Sequence, residues 1–328
     1  MYNACIVGCG AIFQNHAESL SLIDCANLYA VCDNDKKSAA AKEYPVEKIY
    51  YDFEDVLKDE NIDVVHICTP HYLHYEMIDK SLKAGKKVIA EKPMTMTKEQ
   101  FDKLLNDHKD GHLYPILQNR KNKCIEEIKK IVGEETGKLL SVRGMMTWLR
   151  DADYYAQDEW RGKKTTEGGG VLINQSVHTL DIMNYFAGEA DNVCATMSNK
   201  SLKGVIEVED TCDAVINYKN GVKGIFFATN GYNTCVPMNI ELIYEKTTFN
   251  YCYNKLYRDG ELIAVDDSGA VGKTSWGAGH KINIEMIYNA IKNNTKSEFN
   301  FESTINTMKT MFAIYESASK NGEYVDVR

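Results

Sequence analysis

The chain has 328 residues, 44% of them apolar and 26% charged, with a formal net charge of −9. That length exceeds one ordinary core, so two domains are expected, and the acidic balance argues against nucleic acid as a partner. No apolar run is long enough to span a membrane, and Tyr2-Asn3-Ala4 leads straight into a strand without the basic flank of a signal peptide, so a cytoplasmic protein is expected.

The first ~120 residues alternate strand and helix signals, as a parallel sheet requires. Ala4–Val7 reads as an apolar strand, 13–23 as a helix and Leu28–Cys32 as the second strand, ending at Asp33. A helix is predicted over 35–43, closed by Pro45, and a short one starts at Asp52. Val64–Cys68 is the next strand, followed by Thr69-Pro70, and the helix 75–84 has Gly85 as its stop signal. The strand Val88–Ala90 runs into Glu91-Lys92-Pro93, 98–108 reads as a helix, and 114–117 as an edge strand. Beyond about 119 the pattern changes. Strand-like runs at 139–148, 192–198, 211–218, 222–229, 238–244, 247–253 and 261–265 imply an antiparallel sheet, with helices at 124–132, 172–186, 281–292 and 304–319. The expected division is a dinucleotide-binding domain, 1–119, and a substrate and oligomerisation domain, 120–328, with the last helix a candidate to pack back on the first.

Ten cysteines include no Cys-x-x-Cys pair, and several lie in apolar strand patterns, so reduced thiols are expected. Gly8-Cys9-Gly10-Ala11-Ile12 follows a strand and opens a helix. The first glycine permits a tight turn, the second lets backbone approach a pyrophosphate, and the helix amino end attracts that anion. Phe13 stands where a third small residue is usual, so the match is partial. Asp33, at the end of the next strand, would take the ribose hydroxyls. A carboxylate there disfavours a 2′-phosphate and favours NAD; Lys36 and Lys37 nearby keep NADP open. Lys92 sets an ammonium at the carboxyl end of a sheet, the ligand edge of an open α/β fold, where it could exchange a proton with a substrate hydroxyl.

Four segments together resemble the glucose-fructose oxidoreductase / inositol dehydrogenase / MocA (Gfo/Idh/MocA) family: Gly8–Ile12 through His16, then Ile67–His74, then Glu91-Lys92-Pro93, then Trp160-Arg161 through Gly168-Gly169-Gly170 to Asp181. The resemblance covers essentially the whole chain. It implies a nicotinamide-binding Rossmann domain joined to an α/β domain with a large, mostly antiparallel open-faced sheet, and homodimers or homotetramers formed through that sheet. It implies hydride transfer between NAD(P) and a carbinol carbon of a sugar, polyol or sugar derivative. By resemblance, Cys68, Thr69, Pro70, His71 and His74 belong to the nicotinamide end, Glu91 lies by the nicotinamide ribose, and Lys92 and His178 flank the reacting carbinol. His280 matches a Gly-His element that relatives place near substrate.

Two positions depart from the family pattern. Asn174 stands where aspartate is frequent, and an i, i+4 helical spacing would set it on one face with His178. A neutral amide can orient the imidazole or the substrate but cannot raise the imidazole's basicity. His71 replaces a usual asparagine. His178 and Asp181 alone do not place a metal, and none is expected. Arg120 falls at the domain boundary and is a candidate substrate contact. Trp148, Arg150, Tyr154, Tyr155, Trp160, Arg161 and Lys164 form an aromatic and cationic stretch suited to sugar faces and anionic groups, and equally to a packed interface. The rival readings are a sugar-nucleotide dehydrogenase, a non-catalytic cofactor-binding regulator, and an enzyme that retains its cofactor through a coupled oxidation and reduction.

Overall fold

The computed structural model describes residues 1–36, 44–108, 111–266 and 278–328. They form two compact units. The first holds Met1–Gln118 and the later segment that ends at Thr304; the second begins at Asn119 and ends with Ile305–Arg328.

The first unit is built on six strands: β1 (Tyr2–Val7), β2 (Ala26–Cys32), β3 (Lys48–Tyr50), β4 (Val64–Ile67), β5 (Lys87–Ala90) and β6 (Leu113–Pro115). Their order is β3-β2-β1-β4-β5-β6, and every pairing is parallel. That order reverses between β1 and β4, and the crevice outside the strand ends at such a reversal is where open α/β sheets bind ligands. Every residue of β4 and the last four of β1 are buried, as expected for parallel strands covered on both faces. The helices are α1 (Phe13–Ser21), α2 (Phe53–Lys58), α3 (His71–Lys83) and α4 (Lys98–Asp107). A late helix, α8 (Gly279–Asn293), joins the same unit and adds Ile284, Ile287, Tyr288 and Ile291 to the core around Ile6, Ala17 and Leu20. The short edge strand β3 carries no apolar run that sequence could flag. The helix predicted over 35–43 lies outside the described residues from 37 onward.

The second unit has nine strands: β7 (Leu139–Leu149), β8 (Ala190–Ser198), β9 (Thr211–Tyr218), β10 (Lys223–Thr229), β11 (Gly231–Tyr244), β12 (Thr248–Cys252), β13 (Lys255–Arg258), β14 (Glu261–Val265) and β15 (Val325–Asp326). They are ordered β14-β13-β12-β11-β7-β10-β9-β8-β15. Pairing is antiparallel except between β7 and β10, which run parallel with Arg143 opposite Ile225. Helices α5 (Lys123–Ile131), α6 (Ala152–Ala156), α7 (Val177–Ala187) and α9 (Ile305–Ser319) complete the unit. One face of the sheet is covered by α7 and α9. Glycine at 144 lets α7 sit close, because a Cβ there would collide with the Met183 side chain. On the other face Ile225 and Val215 are exposed, beside an Arg143–Glu241 ion pair of 3.2 Å. The helix expected at 304–319 packs on β8 and α7, within the second unit; the helix that rejoins the first unit is α8.

Candidate active site

In the first unit the carboxyl ends of β1, β2, β4 and β5 bring most of the predicted cofactor residues together. Gly8 has φ +96, and a Cβ on it would lie 2.6 Å from the Cys68 carbonyl oxygen, so the turns after β1 and β4 touch at a position only glycine fits. A Cβ on Gly10 would meet nothing within 4 Å, leaving room for a ligand over the turn. Asp52, Thr97 and Asn122 cap α2, α4 and α5 with their side chains. By contrast Ile12, which precedes α1, gives it no side-chain cap, so its amino end remains available to an anion. Cys9 donates its N–H to Asp33 Oδ2 at 2.7 Å, and Asp35 donates to Oδ1 at 2.8 Å. Asp33 is thereby fixed at the tip of β2 as an acceptor-only group suited to ribose hydroxyls. Turn, uncapped helix and acid together fit an NAD pyrophosphate and its ribose.

The turn after β4 carries Cys68, Thr69 and Pro70, and Pro70 precedes α3, which starts at His71. His71 is buried, its ring centroid 5.9 Å from that of His74. His74 clasps two strand-end turns: Nδ1 lies 2.7 Å from the Pro93 carbonyl oxygen and Nε2 2.7 Å from that of Thr69. Burial pushes this imidazole toward neutrality, while the two carbonyls and Glu91 pull the other way. Glu91, buried at the end of β5, receives His16 Nε2 and His280 Nε2 on one oxygen, each at 3.2 Å, and the Lys92 backbone N–H on the other, also at 3.2 Å. Those imidazoles hold its carboxyl well below the usual range in spite of burial. His280 thus lies against Glu91; residues 276 and 277 of the segment before it lie outside the described residues. Behind Glu91, His16 Nδ1 meets His66 Nδ1 at 2.9 Å, and His66 Nε2 meets the Tyr288 hydroxyl at 2.9 Å. Sequence reasoning gave no role to these three buried groups. The available signal was polar residues inside apolar runs, such as His66 in Val64–Ile67.

In the second unit the segment predicted as one helix is two elements. Residues Val171–Gln175 form a turn of π-helix, in which the Ser176 N–H reaches the Val171 carbonyl at 2.9 Å, and α7 begins only at Val177. The Ser176 hydroxyl also donates to the Val171 carbonyl oxygen, at 2.8 Å, which stabilises the break. The single-helix i, i+4 relation predicted for Asn174 and His178 therefore does not hold. Such turns recur at functional sites.

Asn174 donates its amide to Glu167, whose second oxygen accepts the Gly162 N–H. Glu167 is fully buried, and desolvation raises its carboxyl above the ordinary glutamate range. Glu209, also buried and raised by burial, accepts the Leu172 N–H at 3.1 Å and the Tyr315 hydroxyl at 2.9 Å. Neither carboxylate was singled out from sequence. The triple glycine is a packing device here, since a Cβ on Gly169 would strike Tyr315 and one on Gly170 the Glu209 carbonyl.

The predicted substrate residues fall into two groups. Arg120 is buried in a two-pronged ion pair with Asp181, at 2.8 and 2.6 Å, and Asp181 also accepts from Thr307 at 2.8 Å. Trp148, Arg150, Tyr154, Arg161 and Trp160 stack as alternating rings and guanidiniums. Arg150 Cζ lies 4.4 and 4.6 Å from the Trp148 and Tyr154 centroids, and Arg161 Cζ lies 4.9 and 4.5 Å from those of Tyr154 and Trp160. Tyr155 turns away into a small cluster with Leu202, Ile206 and Val208, its hydroxyl accepting from Asn230 at 3.0 Å.

An open parallel sheet with a glycine turn, a ribose acid and a lysine at its carboxyl edge defines a dinucleotide-binding oxidoreductase fold. The sequence agrees: residues 2–113 match the model of the GFO/IDH/MocA oxidoreductase family with an NAD-binding Rossmann fold, and residues 125–250 match the GFO/IDH/MocA C-terminal domain. The chain belongs to that family. Similar curated proteins include levoglucosan dehydrogenase from Pseudarthrobacter phenanthrenivorans, 29% identical over 65% of this chain and 61% of the relative. Another is myo-inositol 2-dehydrogenase from Thermotoga maritima, 28% identical over 67% of this chain and 66% of the relative. The matched stretches thus span somewhat under two thirds of those relatives' lengths. Among solved structures, the WlbA dehydrogenase from Bordetella pertussis in complex with NADH and UDP-GlcNAcA is similar in fold, with a TM-score of 0.85, 24% identity and coverage of 99% of this chain and 98% of that one.

Proposed function

We propose that this protein is an NAD-dependent dehydrogenase acting on a CH–OH group of a sugar, polyol or sugar derivative. The observation that carries the reading is the cluster of Gly8, Gly10 and Asp33 at the sheet edge that also presents Glu91-Lys92, in a chain of this family. The bound nicotinamide would supply hydride chemistry. Lys92 and His178 are the proposed groups for the hydroxyl proton, with Asn174 orienting its partner through the oxygen it does not turn toward Glu167. Asp33 favours NAD over NADP. The proposed division is a cofactor domain built from 1–119, to which α8 is added, and a substrate domain built from the rest of 120–328. A second copy of the chain, in a homodimer or homotetramer, would cover the open sheet face at Ile225 and Val215. No helix among the described residues is long and apolar enough to cross a membrane, and ten free cysteines suit the reducing cytoplasm proposed as its location.

The test is absorbance of reduced nicotinamide over a panel of sugars, polyols and nucleotide sugars with both cofactors. Turnover should appear with NAD, and replacing the true proton-transfer group should cost roughly 10²–10⁴ in rate. Full turnover in both Lys92→Ala and His178→Ala would overturn the mechanism. Cofactor binding with silence across the panel would point to a regulator or to retained-cofactor chemistry. The stacked Arg150 and Arg161 favour one second reading, a sugar-nucleotide substrate, because guanidiniums recognise phosphate and carboxylate oxygens edge-on.

A further inference from the structure

The buried polar chain of the first unit has a polarity that its own geometry fixes. Tyr288 is fully buried, and His66 Nε2, at 2.9 Å, is the one partner of its hydroxyl among the described residues. A buried phenol that kept its proton from this nitrogen would leave an unsatisfied donor. His66 Nε2 is therefore the acceptor, and a neutral imidazole that accepts at Nε2 carries its proton on Nδ1. That proton points at His16 Nδ1, 2.9 Å away, which must then be bare. His16 in turn carries its proton on Nε2, aimed at Glu91 Oε1 at 3.2 Å. A carboxylate is acceptor-only, so it can end such a chain.

We propose that Tyr288, His66 and His16 form a one-directional positioning relay: every donor points toward Glu91, keeping that side chain an oriented anion clamped to the backbone N–H of Lys92. The proposal rests on the reading of Lys92 as a proton-handling residue. The opposite polarity would make His16 a buried imidazolium and His66 a donor to Tyr288, leaving the phenol proton without an acceptor. Burial drives both imidazoles toward neutrality, His66 most strongly, in keeping with the first polarity. The other titratable groups facing Glu91 are Cys68 after β4, His74 on α3, His280 on α8 and the adjacent Lys92. The titratable groups beside Tyr288 are Cys25 and Asp63; the direction of the relay is set by the Tyr288 hydroxyl, whose proton needs the His66 acceptor.

Neutron diffraction from crystals of the full chain, exchanged into deuterated solvent at neutral pH, reads the polarity directly. Deuterons are expected on Tyr288 Oη, His66 Nδ1 and His16 Nε2, with Glu91 bare. A deuteron on His66 Nε2 or His16 Nδ1 would overturn the relay. Tyr288→Phe then tests the role. With the OH gone, His66 can carry its proton on either nitrogen, and Glu91 loses an enforced donor. The expected result is a fall of about five- to tenfold in kcat, the size of one lost buried hydrogen bond, with substrate KM unchanged and the acid limb of the pH profile moved upward. An unchanged kcat and acid limb would overturn the positioning role. If Tyr288→Phe does not fold, Glu91→Gln gives the kinetic reading, with the same expected fall in kcat. The diffraction result does not depend on turnover, so it stands even if no panel substrate is oxidised.

Discussion

Asn174→Asp introduces the aspartate that the family resemblance implies at this position, yet here it should destabilise the protein. The Asn174 amide donates to the fully buried Glu167 carboxylate. Aspartate removes that donor and sets a second acceptor-only group against the first. Losing a hydrogen bond to a charged group costs about 1.5–3 kcal/mol. In addition, two carboxylates sharing one site force one of them to hold a proton far above its ordinary range, at about 1.4 kcal/mol for every tenfold displacement of its ionisation equilibrium. The sum at mildly alkaline pH is on the order of 3–5 kcal/mol.

The pH dependence has a definite sign. Burial already raises the Glu167 carboxyl above the glutamate range. An acid whose pKa is higher folded than unfolded binds more protons in the folded state, so stability falls as pH climbs from the unfolded pKa through the folded one. The variant widens that gap. Its deficit relative to the parent should be small near about pH 5, where the pair shares a proton, and should grow toward about pH 8. Urea unfolding at the two pH values, followed by circular dichroism, measures both numbers. A variant within about 0.5 kcal/mol of the parent at both would refute the reasoning, since that is the range of an ordinary surface change.

Three further substitutions act on contacts of the two units. Gly8→Ala should abolish NADH binding, read by protein-fluorescence quenching, because its Cβ would lie 2.6 Å from the Cys68 carbonyl at φ +96. Asp33→Ala should weaken NADH binding about tenfold or more by isothermal titration, as it removes the ribose acceptor and also frees the Cys9 N–H. Arg120→Ala should lower stability by about 3–5 kcal/mol, because it leaves Asp181 buried without its cation; a thermal scan should show a large drop in midpoint, and an unchanged one would mean that Arg120 is a ligand contact rather than a structural tie.

The strands of the first unit were legible because parallel strands covered on both faces read as unbroken apolar runs, and Gly8, Gly10 and Asp33 sit at fixed offsets from those runs. In the second unit β13 was missed: of Lys255–Arg258 only Leu256 is fully buried, so the period-2 signal is too short to see. The π turn at Val171–Gln175 was invisible for a different reason. All five residues are buried, as are most of those at the start of the following helix, and apolar periodicity does not distinguish one extra residue in a turn. The ion pair of Arg120 was invisible because its partner Asp181 is 61 residues away, and His66 was overlooked because its partners His16 and Tyr288 are 50 and 222 residues away. Local pattern can expose a buried polar residue, but only the fold says what satisfies it.

The buried carboxyls are shifted in opposite directions by their surroundings. Imidazole and backbone donors draw the Glu91 pKa down in spite of burial; Glu167 and Glu209 have donors too, but burial outweighs them and draws both pKa values up. Burying any of the three is costly, and well-packed apolar side chains would serve stability as well or better. Each is bonded to a segment that carries a candidate functional residue: Glu91 to the backbone of Lys92, Glu167 to the side chain of Asn174, and Glu209 to the backbone of Leu172 in the π turn. That pattern is what a protein needs when particular side chains must be held within a fraction of an ångström of a working geometry, and it is hard to account for as core packing alone.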